Sequence, residues 1–230
     1  MQAVILAGGK GRRLRPYTTV LPKPMMPVGD KPILGIIIDR LVRSGVTDIV
    51  LTVGYLAGII RAYFGDGKQF GVNIEYFVET EPLGTAGCLS LIENLEDEFI
   101  VMNGDILTTL DIADLIAFHR RMGKAATICS YKKEVQLTLG VLELSGSAVK
   151  DYIEKPRYTF DVSMGIYAMN RSVVRHIPKN QYFDLPTLIK KLIAANEPIS
   201  VYAFEGDWYD IGREEDYRAV LEKFDDGPRD

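Results

Sequence analysis

Two histidines, two cysteines and one tryptophan in 230 residues leave little of the usual catalytic chemistry in this chain. With only His119 and His176 to offer imidazole, a histidine-ligated metal centre is not expected. Cys88 and Cys129 stand alone in apolar stretches, so neither a disulfide framework nor a zinc site is expected, and both read as core packing. No apolar run is long enough to cross a membrane. The first one lacks a basic flank and soon ends in glycines, so no secretory leader is read and a cytoplasmic location is expected. The formal net charge of −4 excludes a strongly basic nucleic-acid binder. No low-complexity linker or internal repeat divides the sequence, which reads as one domain over 1–230.

What is present is an alternation of strand and helix patterns. "QAVILA" reads as a buried strand, "PILGIIIDRLVRSG" as a helix ending at Gly45, "DIVLTV" as a strand and "LAGIIRAYFG" as a helix. "VNIEYFV", "TAGCLSLIENL" and "EFIVMNGD" continue as strand, helix and strand. "DIADLIAFHRRMG" is a helix with Asp111 as N-cap and Gly123 as stop. This order predicts a largely parallel sheet. "AATICSYKK", "LGVLEL" and "AVKDYIEK" then follow as strands with short links, read as an antiparallel addition to the same sheet, and "SMGIYAM" after them. "DLPTLIKKLIAAN" is a helix with Leu185, Leu188, Ile189, Leu192 and Ile193 on one apolar face. "PISVYAF" and "DWYDIG" read as strands, "REEDYRAVLEKF" as a closing helix, and "DDGPRD" as a frayed tail.

The stretch "LAGGKGRRLRP" puts three glycines and four basic side chains directly after the first strand. It fits neither standard phosphate loop. A dinucleotide fingerprint starting at Gly9 would need its third glycine at Leu14. A Walker loop would need glycine at Val4 and Ser or Thr at Gly11. What remains is a turn whose backbone N–H groups wrap a triphosphate while Arg12, Arg13 and Arg15 neutralise it, or an ordinary turn with solvated charges. Residues 10–24 carry five basic groups and no acid, a local anion site in an acidic chain.

Three motif-bearing segments fall at or just after the carboxyl ends of predicted strands: 8–15, 79–85 and Asn103-Gly104-Asp105. Ligands bind at such ends in open α/β sheets. Asp105 suits a magnesium ion shared with phosphate oxygens, and Asp210 in "WYDIG" is its candidate partner. In "LPKPMMPVGDKP" Lys23 lies between prolines, on what reads as a stiff extended segment and a phosphate clamp. "IEKP" offers Glu154 for sugar hydroxyls and Lys155 for a second phosphate.

Together "LAGGKGRRLRP", "LPKPMMPVGDKP", "EPLGTAG", "NGD", "EKP", "SMGIY" and "WYDIG" resemble, in order and spacing, the sugar-1-phosphate nucleotidyltransferases. The likeness is greatest to mannose-1-phosphate and heptose-1-phosphate guanylyltransferases. The resemblance implies a single Rossmann-like α/β domain with a mixed, mostly parallel central sheet flanked by helices. It implies no C-terminal left-handed β-helix here, because the chain stops after the closing helix. The substrates implied are a nucleoside triphosphate and a sugar 1-phosphate, the products an NDP-sugar and pyrophosphate, the cofactor Mg2+. It leaves room for a homo-oligomer, with no nucleic-acid or membrane partner.

By the same resemblance Leu6, Ala7, Gly8, Gly9, Gly11 and Arg12 would hold the nucleotide, with Glu79, Leu83, Gly84 and Thr85 around the base. Arg13 and Lys23 would act on the reacting phosphates, Asp105 and Asp210 on the metal, and Gly140, Glu154, Lys155 and Ser163 on the sugar phosphate. The sequence departs from the family pattern at Arg12, where threonine is usual, at "VSMGIY" in place of "NAGIY", and at "QLTLG", which lacks a tyrosine before Gly140.

A catalytically silent NDP-sugar-binding paralogue would be expected to have lost Arg13, Lys23, Asp105 or Asp210, and all four are present. A glycosyltransferase would want a D-x-D metal motif where "NGD" has one Asp. Glu79 adds an expectation about the base. A carboxylate only accepts hydrogen bonds, and guanine presents two adjacent donors, so GTP is the expected nucleotide, with UTP, dTTP or CTP as the alternative.

Overall fold

A computed structural model describes residues 1–224, and the expected frayed tail lies outside the described residues. In chain order the elements begin with β1 (Gln2–Ala7), a minute ladder of β2 (Pro27–Val28) and β3 (Lys31–Pro32), and α1 (Ile33–Arg43). Next come β4 (Asp48–Val53), α2 (Ala57–Phe64), β5 (Asn73–Val78), the single turn α3 (Gly84–Gly87), β6 (Glu98–Asn103), β7 (Ile106–Thr108) and α4 (Ile112–Met122). The second half adds β8 (Ala126–Gln136), β9 (Val141–Ser145), β10 (Ala148–Ile153), β11 (Arg157–Asn170), α5 (Leu185–Ala194), β12 (Ile199–Phe204), β13 (Trp208–Asp210) and α6 (Glu214–Phe224).

Seven strands form one sheet in the order β12-β8-β11-β6-β1-β4-β5. Only β11 runs against the rest, so the sheet is mixed and mostly parallel, as expected. Side chains of successive strand residues point to opposite faces. Ala3 and Ile5 of β1 join Ile49, Leu51, Ile100 and Met102 in one core, against Ile33, Leu34, Ile38 and Leu41 of α1. Val4 joins Val50, Phe99 and Val101 in the other, against Leu185, Leu188 and Leu192 of α5. Because helices cover both faces, the central strands read as unbroken apolar runs. Each fully buried aliphatic side chain contributes about 1.5–3 kcal/mol. Asp111 caps α4 by accepting the Ala113 N–H at 2.8 Å, and Gly123 ends it in the left-handed conformation.

Several expectations need correction. Of the three strands read as an antiparallel addition, only β8 joins the sheet; β9 and β10 pair with each other as a separate hairpin. The helix expected over "TAGCLSLIENL" is one turn of α3 followed by a 3-10 turn at Cys88–Ser90, which together bury Ala86, Cys88 and Leu89. "DWYDIG" supplies β13, which pairs with β7 outside the main sheet. On α5, Ile193 is exposed, lying off the stripe of Leu185, Leu188 and Leu192. Lys23 is not extended: Pro22 is, and Lys23 opens a 3-10 turn with Pro24 and Met25. Cys88 and Cys129 are buried as expected, and burial raises both thiol pKa values, that of Cys88 to about 12.

Candidate active site

The glycine loop leaves β1 and turns at once. Gly11 has φ +56°, and a Cβ there would lie 2.9 Å from the Thr18 side chain and 3.3 Å from that of Lys23, so no larger residue fits without displacing them. The Gly11 carbonyl accepts from Thr18 Oγ1 at 2.8 Å and from the Leu14 N–H at 2.9 Å. Leu14 is buried and anchors the loop, which leaves Arg12, Arg13 and Arg15 on the exposed side. None of these three makes an ion pair among the described residues. Lone cations beside bare backbone suit an anion.

Gly104 crosses β1 at close range, its N–H donating to the Leu6 carbonyl at 2.9 Å. This crossing sets Asp105 beside the glycine loop. The Lys23 ammonium pairs with Asp105 Oδ2. Asp105 Oδ1 is buried and has no hydrogen-bond partner among the described residues. On the neighbouring ladder the Ile211 N–H donates to the Asp105 carbonyl at 3.1 Å, holding the β13 end against the β6 end. A Cβ on Gly212 would stand 3.6 Å from an Arg13 nitrogen and 3.7 Å from Asp210 Oδ1, so guanidinium and carboxylate flank the same glycine. Asp210 keeps access to solvent. Desolvation by the protein crowded round it and the Asp105 charge push its pKa up, while Lys23 and Arg13 oppose the shift.

An orphaned carboxylate oxygen and a second carboxylate whose ionisation is resisted are what a divalent cation relieves. Among the described residues no group of three or more His, Cys, Asp and Glu side chains gathers to hold a metal. The two carboxylates, Asp105 and Asp210, fit magnesium, which takes one or two carboxylates and completes its octahedron with phosphate oxygens and water.

Leu6, Gly8, Gly9, Arg12, Glu79, Gly84, Thr85 and Asp105 share the wall of a cavity of about 700 Å³. Leu6, Ala7, Gly9, Gly11, Arg12, Arg13, Lys23 and Asp105 line a smaller one of about 270 Å³ that continues it. Glu79 follows β5, with its N–H on the Val53 carbonyl at 2.8 Å, and a Cβ on Gly8 would lie 3.4 Å from its Oε2. Burial raises the Glu79 pKa, with the Leu83 backbone opposing. Leu83 is not in the cavity wall; its carbonyl accepts the Phe183 N–H. Residues 8–13, 79–85 apart from Leu83, and 103–105 thus meet in one crevice, which Arg15 does not line.

The expected sugar-side residues do not join them. Gly140, Glu154 and Lys155 sit where the β9–β10 hairpin leaves β8 and β11. Tyr152 packs over Gly140, donates to Glu154 at 3.0 Å, and leaves the Glu154–Lys155 pair (3.7 Å) more than half exposed. Ser163, on β11, shares a hydrogen bond with the Tyr167 hydroxyl at 2.9 Å.

A third cavity, of about 630 Å³, opens beside Asp210 and Gly212 instead. It is lined by Arg13, Tyr131, Lys133, Trp208 and Arg213 among others. Trp208 Nε1 donates to the Met164 carbonyl at 3.1 Å, its ring lies 5.3 Å from that of Tyr131, and the Lys133 ammonium stands 5.8 Å over it. Sequence reasoning singled out none of Trp208, Lys133 and Arg213. "WYDIG" offered a signal for Trp208, two residues before a metal candidate; Lys133 and Arg213 had none.

The family model described as nucleotidyl transferase matches residues 2–227. A UTP–glucose-1-phosphate uridylyltransferase of Synechocystis is 34% identical over 97% of this chain and 64% of its own length. A mannose-1-phosphate guanyltransferase of Schizosaccharomyces pombe is 37% identical over 94% of this chain and 62% of its own. The chain therefore spans less than two thirds of the length of these curated relatives. Among solved structures, HddC from Yersinia pseudotuberculosis superposes with a TM-score of 0.77 at 27% identity, over 97% of this chain and 99% of that one. HddC has also been solved complexed with GMP-PN.

Proposed function

We propose that this chain, which belongs to the nucleotidyl transferase family, condenses a nucleoside triphosphate with a sugar 1-phosphate to give an NDP-sugar and pyrophosphate. The observation that carries the reading is the convergence of Arg12 and Arg13, without ion pairs among the described residues, on the Lys23–Asp105 pair with its partnerless Oδ1 and on Asp210 at the strand ends. A phosphate oxygen of the sugar 1-phosphate attacks the α-phosphorus in line, and the bond to the β-phosphate oxygen breaks to release pyrophosphate. The nucleophile arrives with its substrate, so a chain poor in Cys and His suffices. What the protein supplies is alignment of two anions and compensation of charge. Arg12 and the backbone of the glycine loop hold the triphosphate, Arg13 takes the charge of the departing pyrophosphate, and Lys23 moves from Asp105 to the reacting phosphates. Asp105 and Asp210 would hold a magnesium ion, whose positive charge supports the phosphate oxygens when bound.

For the second substrate the cavity bounded by Trp208, Lys133 and Arg213 adjoins the reacting centre through Arg13 and Gly212, which wall both spaces. Gly140, Glu154, Lys155 and Ser163 then serve as an outer rim of the sugar site. Glu79 favours GTP, because an ionised carboxylate at the cavity wall matches the two adjacent donors of guanine. The relatives with guanyl and uridylyl names make the base a separate question from the reaction. The test is a matrix of GTP, UTP, dTTP, CTP and ATP against a panel of sugar 1-phosphates, scored by pyrophosphate release with magnesium. Release with GTP above all others is expected. No release with any pair would reject the reaction, and a preference for another base would reject only the role of Glu79.

A further inference from the structure

We propose that Tyr182 stacks on the base of the bound nucleotide and so sets how tightly any nucleotide is held. This rests on the reading of the 700 Å³ cavity as the nucleotide site. Two tyrosines share that wall. Tyr55 is half-buried and tethered, its hydroxyl donating to the Thr19 carbonyl at 3.0 Å. Tyr182 is 68% exposed and has no hydrogen bond or ring contact among the described residues.

An exposed ring on a loose loop would mean little, but this one stands on a fastened segment. The Phe183 N–H donates to the Leu83 carbonyl at 2.8 Å, and the Phe183 carbonyl accepts from the Ala86 and Gly87 N–H groups, both at 2.9 Å. The Leu185 N–H donates to Thr85 Oγ1 at 2.8 Å. Two glycines make the approach possible: a Cβ on Gly84 would lie 2.6 Å from the Phe183 carbonyl oxygen, and one on Gly87 2.8 Å from that of Gln181. The backbone after Tyr182 is therefore hydrogen-bonded to the 83–87 loop and the carbonyl before it lies against Gly87, beside Glu79, Thr80 and Pro82 of the same wall. A tyrosine presents a large rigid face at low entropic cost. Every base has a π-face, so a stack here adds affinity without choosing the base. Selection is left to Glu79, which divides the work between two residues of one wall.

The test is equilibrium titration of the full chain with GTP and with UTP, which needs no turnover. Tyr182→Ala is expected to weaken both by about the same factor, roughly 5- to 150-fold, the range for loss of one base–aromatic stack. Tyr182→Phe keeps the ring and is expected to bind like wild type. Thermal melts of both variants should match wild type, because an exposed side chain without partners changes stability little. Unchanged affinity in Tyr182→Ala overturns the proposal. So does weakening of one nucleotide alone, which would make the contact base-selective, or an equal loss in Tyr182→Phe, which would assign the hydroxyl rather than the ring. A wild type that binds nucleotide with these effects but releases no pyrophosphate rejects the reaction and leaves the stack standing.

Discussion

The strands behind the glycine-loop crevice and those of the β9–β10 arm are both short and rich in aliphatic residues, and they end in opposite states. Ala3, Val4 and Ile5 of β1 are fully buried between two helical layers. On the arm, a bulge between Val149 and Asp151 brings Val149 and Tyr152 onto the face that also carries Leu142 and Leu144. Those four side chains remain 48% to 62% exposed. Apolar pattern alone therefore does not say whether a face is covered; position in the sheet does. The same contrast separates the two halves of the site. The glycine-loop side is held by backbone crossings such as Gly104 on Leu6, whereas among the described residues Glu154 and Lys155 pair only with near neighbours on an exposed turn.

The largest expected effect lies on the fixed side. Asp105→Asn should lower turnover by about 1,000-fold or more, since a bound metal supplies several kcal/mol at the transition state. Circular dichroism should show an intact fold, and EDTA on the wild type should reproduce the loss. Full pyrophosphate release by the variant in EDTA would remove Asp105 from the centre.

The two lysines should then divide. Lys23→Ala, at the ion pair with Asp105, is expected to reduce kcat by about 10- to 150-fold, the worth of a hydrogen bond to a charged group. Lys155→Ala is expected to raise KM for the sugar phosphate by less than about 10-fold and leave the nucleotide KM alone. A larger effect from Lys155, or one on the nucleotide, would mean that the arm closes onto the phosphate centre.

Glu79→Gln is expected to cut kcat/KM for GTP by roughly 10- to 100-fold while UTP is spared or improved. Desolvation holds the Glu79 pKa above its ordinary value, against the Leu83 backbone. The carboxylate must be ionised to accept from guanine, so GTP use should fall on the acid side at a higher pH than an ordinary carboxylate gives. The variant should lack that limb. Because the folded pKa is raised, the group's stabilising contribution is complete below its unfolded pKa and lost as pH rises through the folded one. The variant should therefore melt no lower than wild type at neutral pH. A GTP profile identical in both proteins would take Glu79 out of base reading.

The smallest effect should come from the arm. Leu144→Ser is expected to change stability by no more than about 0.5 kcal/mol, whereas Leu51→Ala in β4 should cost about 2–5 kcal/mol. Chemical denaturation of both variants measures the difference, and a comparable loss at Leu144 would show the arm to be packed.

Much of the fold was legible because local rules governed it. The cap at Asp111, the stop at Gly123 and the leucine stripe of α5 follow from neighbours within a few residues. The helix over 85–95 was overestimated because Gly84 and Gly87 serve the approach of 181–183, a partner about 100 residues away that local periodicity does not register. The strands over "LGVLEL" and "AVKDYIEK" form a separate hairpin rather than an addition to the main sheet for a similar reason: alternation marks a strand but not its sheet. The glycine loop, Glu79 and Asp105 could be placed at strand ends from the sequence, and the structure gathers them at one crevice; Asp210 lies beside it.

By itself the sequence determined most of the alternation of strands and helices, the basic, glycine-rich make-up of the first loop and the carboxylates at later strand ends. These depend on periodicity, charge and backbone freedom over a dozen residues or fewer. The tertiary structure decided which of those ends share a cavity, that Tyr182 stands at its wall while Trp208 and Lys133 line the cavity beside Asp210, and that the "IEKP" turn stands apart. Such facts depend on sheet order and on contacts between distant segments, and burial and hydrogen bonding fix them only when the whole chain is packed.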